Sequence, residues 1–217
     1  KSGGILGVVS GEDKYQSALR KAALSPVSAR VACIGVYIET HIDNPTKEQP
    51  SPGWYFICEN NTPTMVGDTP EKGLLRSFES FIQYNTEFIT FNGRGFDFPF
   101  LMFRAALHGI KLSLPINPYN GRDNHYDMMV HLNDLSGLSS LDGDVSLRYV
   151  SLNKWLKYFG LPEKPLPEGV RTGDFVAHCV QTEDWAKLEE YCKNDVMGTY
   201  EIFKGFEGNF KPREGYR

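Results

Sequence analysis

The apolar positions change period along the chain, and the changes mark its elements. Residues 31–40 run Val-Ala-Cys-Ile-Gly-Val-Tyr-Ile-Glu-Thr and residues 54–58 run Trp-Tyr-Phe-Ile-Cys, two β-branched and aromatic stretches that predict strands. Between them residues 44–53 carry Pro45, Pro50 and Pro52, so the two strands read as a hairpin with a long irregular connection. Leu74, Leu75, Phe78 and Phe81 or Ile82 then recur at helical spacing over residues 71–84. Residues 88–91, Phe-Ile-Thr-Phe, return to a strand pattern that breaks at Asn92-Gly93, passes Gly95 and delivers Asp97 just before another helical stretch. In that stretch Phe100, Leu101, Phe103, Arg104 and Leu107 repeat until Gly109 stops it. A carboxylate in the crevice between a strand's carboxyl end and the next helix stands where α/β sheets place their chemistry, although a lone Asp there also serves as an N-cap.

The flanking regions are read the same way. Residues 5–10 predict a short buried strand and residues 13–24 a helix ending at Ser25-Pro26. Residues 126–132, with Met-Met-Val at their centre, fit a strand or a short helix. Residues 133–146 are polar and glycine-rich, a loop whose Asp142-Gly-Asp144 is a solvated turn and no complete calcium loop. Residues 152–159 predict a helix with a stop at Gly160, and residues 161–173 a proline-rich linker. Thr182-Glu-Asp caps a last helix over residues 185–203, with Leu188, Cys192, Val196, Thr199 and Phe203 forming one stripe. Tyr191 and Asp195 stand one turn apart on that helix.

Asn92-Gly-Arg-Gly-Phe96-Asp97 and Tyr191-Cys-Lys-Asn-Asp195 resemble the second and third motifs of the ribonuclease-H-like 3′–5′ exonucleases, in the DEDDy class whose third motif is Tyr-x-x-x-Asp. The likeness is closest to exonuclease domains related to B-family polymerase proofreading. It covers residues 23–203 and takes in Leu24-Ser-Pro, His125-Tyr-Asp127 and Leu161-Pro as further landmarks. It implies an α/β fold in which a mixed sheet of about five strands is flanked by helices. It implies hydrolysis of phosphodiesters at nucleic-acid 3′ ends, DNA or RNA and single-stranded, with two divalent ions, magnesium or manganese, in a cage of carboxylates. Hard ions of this kind take oxygen donors. By position, Asp97 and Asp195 are the second- and third-motif acids, Tyr191 holds the attacking water, and Asn92 contacts the terminal nucleotide. Phe96, beside Asp97, is the exposed aromatic to test for stacking on a base. Phe91, Phe98, Phe100 and Phe103 are expected to be mostly core, and His125 and Asp127 to be structural.

The first motif departs from the family's Asp-x-Glu. In the nearest register the chain offers Ser10-Gly11-Glu12, so Glu12 is a third ligand candidate and Ser10 stands where an aspartate is needed. Tyr37-Ile-Glu39-Thr40 is a second register, which leaves too few strands before residue 71; a third possibility puts the pair upstream of Lys1. A serine hydroxyl removes one negative charge from between two dications, so one ion or none is expected to be held firmly. Ser10→Asp is then expected to raise cleavage. The alternative function is a catalytically degenerate relative that keeps the fold for binding nucleic acid or for assembly.

Composition narrows this little. At 217 residues the chain suits a single domain, residues 1–217. With 41% hydrophobic residues and no long apolar run it offers no membrane span. The four cysteines lack a Cys-x-x-Cys pair, which argues against zinc and disulfides and suits a reducing cytoplasm. A net charge of −4 is not that of a broadly basic nucleic-acid binder, and it does not exclude a nuclease, whose acidic site adds negative charge and which needs to grip only a few nucleotides.

Overall fold

The computed structural model describes residues 25–39, 50–82, 87–115, 125–135, 150–163 and 172–207. The strand and helix expected at residues 5–10 and 13–24, and with them Ser10 and Glu12, lie outside the described residues, as does the Asp142-Gly-Asp144 turn. The elements are β1 (Cys33–Ile38), β2 (Gly53–Cys58), α1 (Pro70–Ile82), β3 (Phe88–Thr90), α2 (Asp97–Leu107), β4 (His125–Asp127), α3 (Met128–Leu135), α4 (Leu152–Tyr158), α5 (Thr172–Gln181) and α6 (Trp185–Phe206).

This is a mixed α/β architecture. Among the described residues the strands form two pairs, β1 antiparallel to β2 and β3 parallel to β4, where a sheet of about five strands was expected. The expected hairpin is present, with Cys33 opposite Cys58 and Ile38 opposite Gly53. The ambiguous stretch from residue 126 resolves into both alternatives in succession: Tyr126 and Asp127 finish β4, and Met128 opens α3. The helix α5 departs from the expected linker, since Thr172 and Gly173 already belong to it.

Among the described residues three apolar cores hold these elements. The first joins Leu74, Leu75 and Phe78 of α1 to Phe98, Leu101 and Ala105 of α2, with Ile57 of β2. The second gathers Met128 and Leu132, Leu152 and Leu156, and Ile202 and Phe203 of α6. The third packs Phe175 and Cys179 of α5 against Leu188 and Tyr191 of α6. Helix α6 therefore spans two cores and packs on β1, β2 and β3. It approaches the hairpin closely at Gly35, where a Cβ would lie 2.7 Å from the Trp54 ring and 3.3 Å from the Cys192 Cβ. Trp54 fixes the same contact by donating its indole N–H to Glu189 Oε1 at 3.0 Å. Among the described residues no helix is long and apolar enough to cross a membrane.

Candidate active site

Asp97 is reached through a tightly specified turn. Strand β3 ends at Thr90, and Asn92 takes φ 65°, a left-handed conformation that asparagine tolerates better than most residues. The Asn92 carbonyl accepts the N–H groups of Gly95 at 3.1 Å and Phe96 at 2.9 Å, and the Gly93 carbonyl accepts that of Phe98 at 2.8 Å. A Cβ at residue 93 would collide with the Thr90 side chain, so only glycine fits there. The cap of α2 is Phe96, which has no side-chain acceptor, and Asp97 is the first helical residue, exposed to solvent. Asp97 is therefore not the N-cap. Its negative charge in the first turn suits the helix dipole and leaves a carboxylate at the carboxyl end of β3.

Asp127 holds this turn from below. It is 3% exposed, and its Oδ1 accepts the Asn92 N–H at 2.8 Å and the Met129 N–H at 3.2 Å, while Oδ2 accepts the Arg94 N–H at 3.0 Å. The bond from Met129 is the ordinary N-cap of α3. Beside it, Thr90 Oγ1 lies 2.8 Å from His125 Nε2 and accepts the Gly93 N–H at 3.1 Å. His125 is buried and its ring lies 4.5 Å from that of Phe98. Burial pushes its pKa down to about 4; the Asp127 charge opposes the fall and the Arg94 and His131 charges add to it, so the ring is neutral near pH 7.

The aromatic residues separate clearly. Phe98 and Phe100 are core, at 4% and 8% exposure, and Phe91 is partly buried against the second core. Phe96 is 36% exposed and Phe103 41%, so Phe96 is available beside Asp97, its ring 5.6 Å from that of Phe100.

Asp195 lies at mid-length of α6 and is half-buried; its carbonyl accepts the Thr199 hydroxyl at 2.8 Å. Tyr191, one turn earlier, is 3% exposed, with its ring 5.4 Å from that of Phe175. The residue next to it, Cys192, brings its thiol to 3.5 Å from that of Cys33. The hydrogen bond to Cys192, and then burial, push the Cys33 thiol far up, so Cys33 packs as a thiol. Glu39, the acid of the second register considered for the first motif, meets α6 at Tyr200 and Lys204. Glu39 Oε1 is 3.7 Å from Lys204 Nζ, and burial and then Glu39 raise the Tyr200 hydroxyl. Tyr200 and Lys204 lie about 7 and 13 Å beyond Asp195 along the axis at ~1.5 Å per residue.

Carboxylates are the donors a hard divalent ion takes, so Asp97 and Asp195 fit such an ion in kind. Among the described residues, however, no three His, Cys, Asp or Glu side chains gather to hold one. Asp127 is structural, as expected from the His-Tyr-Asp landmark, but its place as the anchor of this turn had no local signal, because its partners lie 33 and 35 residues away.

No curated protein matches the chain. A family model described as predicted 3′–5′ exonuclease related to the exonuclease domain of PolB matches residues 62–214. That stretch contains the Asn92–Asp97 turn, Asp127 and the Tyr191–Asp195 helix, and excludes Glu12. With more than half its length matched, and with both motifs inside the match, the chain belongs to this family of predicted 3′–5′ exonucleases related to the exonuclease domain of PolB.

Proposed function

We propose that the protein is a metal-dependent 3′–5′ exonuclease, one domain over residues 1–217, that releases nucleotides from single-stranded 3′ ends in a reducing cytoplasm. The observation that carries this reading is the family match over both motifs, with Asp97 on a strand-to-helix turn and Asp195 on a helix packed against that same strand. Free thiols at Cys33, Cys58, Cys179 and Cys192 suit such a compartment.

In this reading Asp97 and Asp195, with Glu12, hold magnesium or manganese. A bound ion supplies Lewis-acid polarisation of the phosphate and neutralises developing charge. The Tyr191 hydroxyl orients the attacking water, Asn92 contacts the terminal nucleotide, and Phe96 stacks on its base. Hydrolysis joins the water oxygen to phosphorus and breaks the bond to the 3′ oxygen. That oxygen takes up a proton, leaving a shortened strand and a 5′-mononucleotide.

Ser10 in place of the first-motif aspartate favours a second reading, a degenerate relative that binds 3′ ends without cleaving them. Incubating 3′-labelled single strands with and without manganese separates the two. Release of mononucleotides supports the enzyme. Retention of label together with a rise in fluorescence anisotropy supports the binder.

A further inference from the structure

Resting on the exonuclease reading, we propose that the Thr90–His125–Asp127 group, with His125 and Asp127 buried, is a positioning device for the turn that carries Asn92 and delivers Asp97. Thr90 and Asp127 are register partners at the ends of the parallel pair β3–β4, so one strand end fixes the other's turn. Capping α3 needs only the bond from Met129 to Asp127 Oδ1. The two further bonds, from the N–H groups of Asn92 and Arg94, reach across 35 and 33 residues and have no part in that cap. They hold Asn92 at φ 65°, while Thr90 takes the N–H of Gly93 between them. Three successive N–H groups of the turn thus point at acceptors on the β3–β4 seam. Asp97 begins its helix three residues after Arg94, so freedom in this turn becomes displacement of its carboxylate. A displacement of about 1 Å at a reacting centre costs on the order of a hundredfold in rate.

Asp127→Asn is the sharpest probe, because the amide keeps the size of the carboxylate but turns an NH2 donor toward an N–H. Amide hydrogen exchange on the chain without metal or substrate is expected to speed up at Asn92 and Arg94 by at least about tenfold more than in β1, β2 and α6. Turnover at saturating substrate is expected to fall at least about tenfold. Thr90→Val, which keeps the shape and loses the hydroxyl, should loosen Gly93 alone, and Thr90→Ser should restore it. Unchanged exchange at Asn92 and Arg94, exchange that rises evenly through every element, or full turnover with a loosened turn would overturn the proposal. Should Asp127→Asn fail to fold, the valine and serine pair decides: faster exchange at Gly93 with reduced turnover in Thr90→Val, both restored in Thr90→Ser, is expected, and unchanged exchange at Gly93 or full turnover with Gly93 loosened would overturn the proposal. A parent chain that releases no nucleotide overturns the exonuclease reading instead, while the exchange rates still decide whether the turn is held in this way.

Discussion

Two buried carboxylates organise this molecule in opposite ways. Glu71, in the first turn of α1, is held by side chains: the guanidinium of Arg104 forks onto both its oxygens and His108 Nε2 lies 2.8 Å from Oε2. The Val31 N–H adds a bond of 2.7 Å, and Arg104 also reaches the Pro26 carbonyl at 3.1 Å. Burial alone would raise the Glu71 carboxyl, but Arg104, His108 and Val31 bring it below its ordinary value. Asp127 is as deeply buried, yet among the described residues only backbone N–H groups bond to it. An ion pair joins whole elements, here α1, α2 and the strand entering β1, because long side chains reach between them. A ring of amides instead dictates the path of one short turn. The first carboxylate serves the fold, the second the geometry around Asp97.

The largest effect is expected from breaking the ion pair. Glu71→Ala leaves Arg104, with a side chain only 14% exposed, as a buried charge lacking its counterion, and should cost about 3–5 kcal/mol in urea unfolding. Replacing both Glu71 and Arg104 by methionine should recover most of that loss; a double variant as unstable as the single would show that shape rather than charge matters.

Acid comes next. His125 prefers to be neutral in the fold, with a value of about 4 against an ordinary 6.5. Its contribution is complete above pH 6.5 and is lost as pH falls toward about 4, up to roughly 3 kcal/mol. The depressed Glu71 carboxyl contributes fully above 4.5 and is lost only below that. Unfolding measured from about pH 7 to 4 should therefore lose stability first through His125, and His125→Gln should flatten that part of the curve. An equal slope in the variant would assign it to other groups.

Asp127→Asn should cost less, about 1–3 kcal/mol for backbone donors left facing an amide, while its effect on turnover exceeds that of Glu71 variants of equal stability. Smallest in stability is Tyr191→Phe, below about 1 kcal/mol because the ring stays packed on Phe175, yet turnover should fall on the order of a hundredfold. Unchanged turnover would leave Tyr191 as a core residue of α6.

Where a period was sustained, the sequence was readable. Leu74, Leu75, Phe78 and Ile82 are the buried face of α1, and the stops at Gly109 and Gly160 are real, with φ of 69° and 67°. Residues 126–132 defied one period because a strand becomes a helix between Asp127 and Met128. Helix α5 went unread because prolines and Gly173 suggest a linker, although Phe175, Val176, Cys179 and Val180 repeat at helical spacing beyond them. On α6 the buried face is broader than the stripe, with Tyr191 and Ile202 inside it and Cys192 and Val196 half-buried. The turn and its Asp97 were legible from local chemistry, since glycines and a left-handed asparagine announce themselves. The acceptors that hold it were not, because a buried Asp or Glu looks like any surface acid until the fold brings its distant partners near.

Cleavage by this protein requires Asp97 and Asp195 to act as a pair. The direct test is release of labelled nucleotide from single-stranded 3′ ends, across a manganese titration, by the parent chain, Asp97→Ala and Asp195→Ala. Slow, metal-dependent release by the parent that disappears in both variants, with their melting temperatures near the parent's, is the predicted result. Release at the parent rate by either variant, or tight binding of 3′ ends with no release by the parent at any metal concentration, would contradict it.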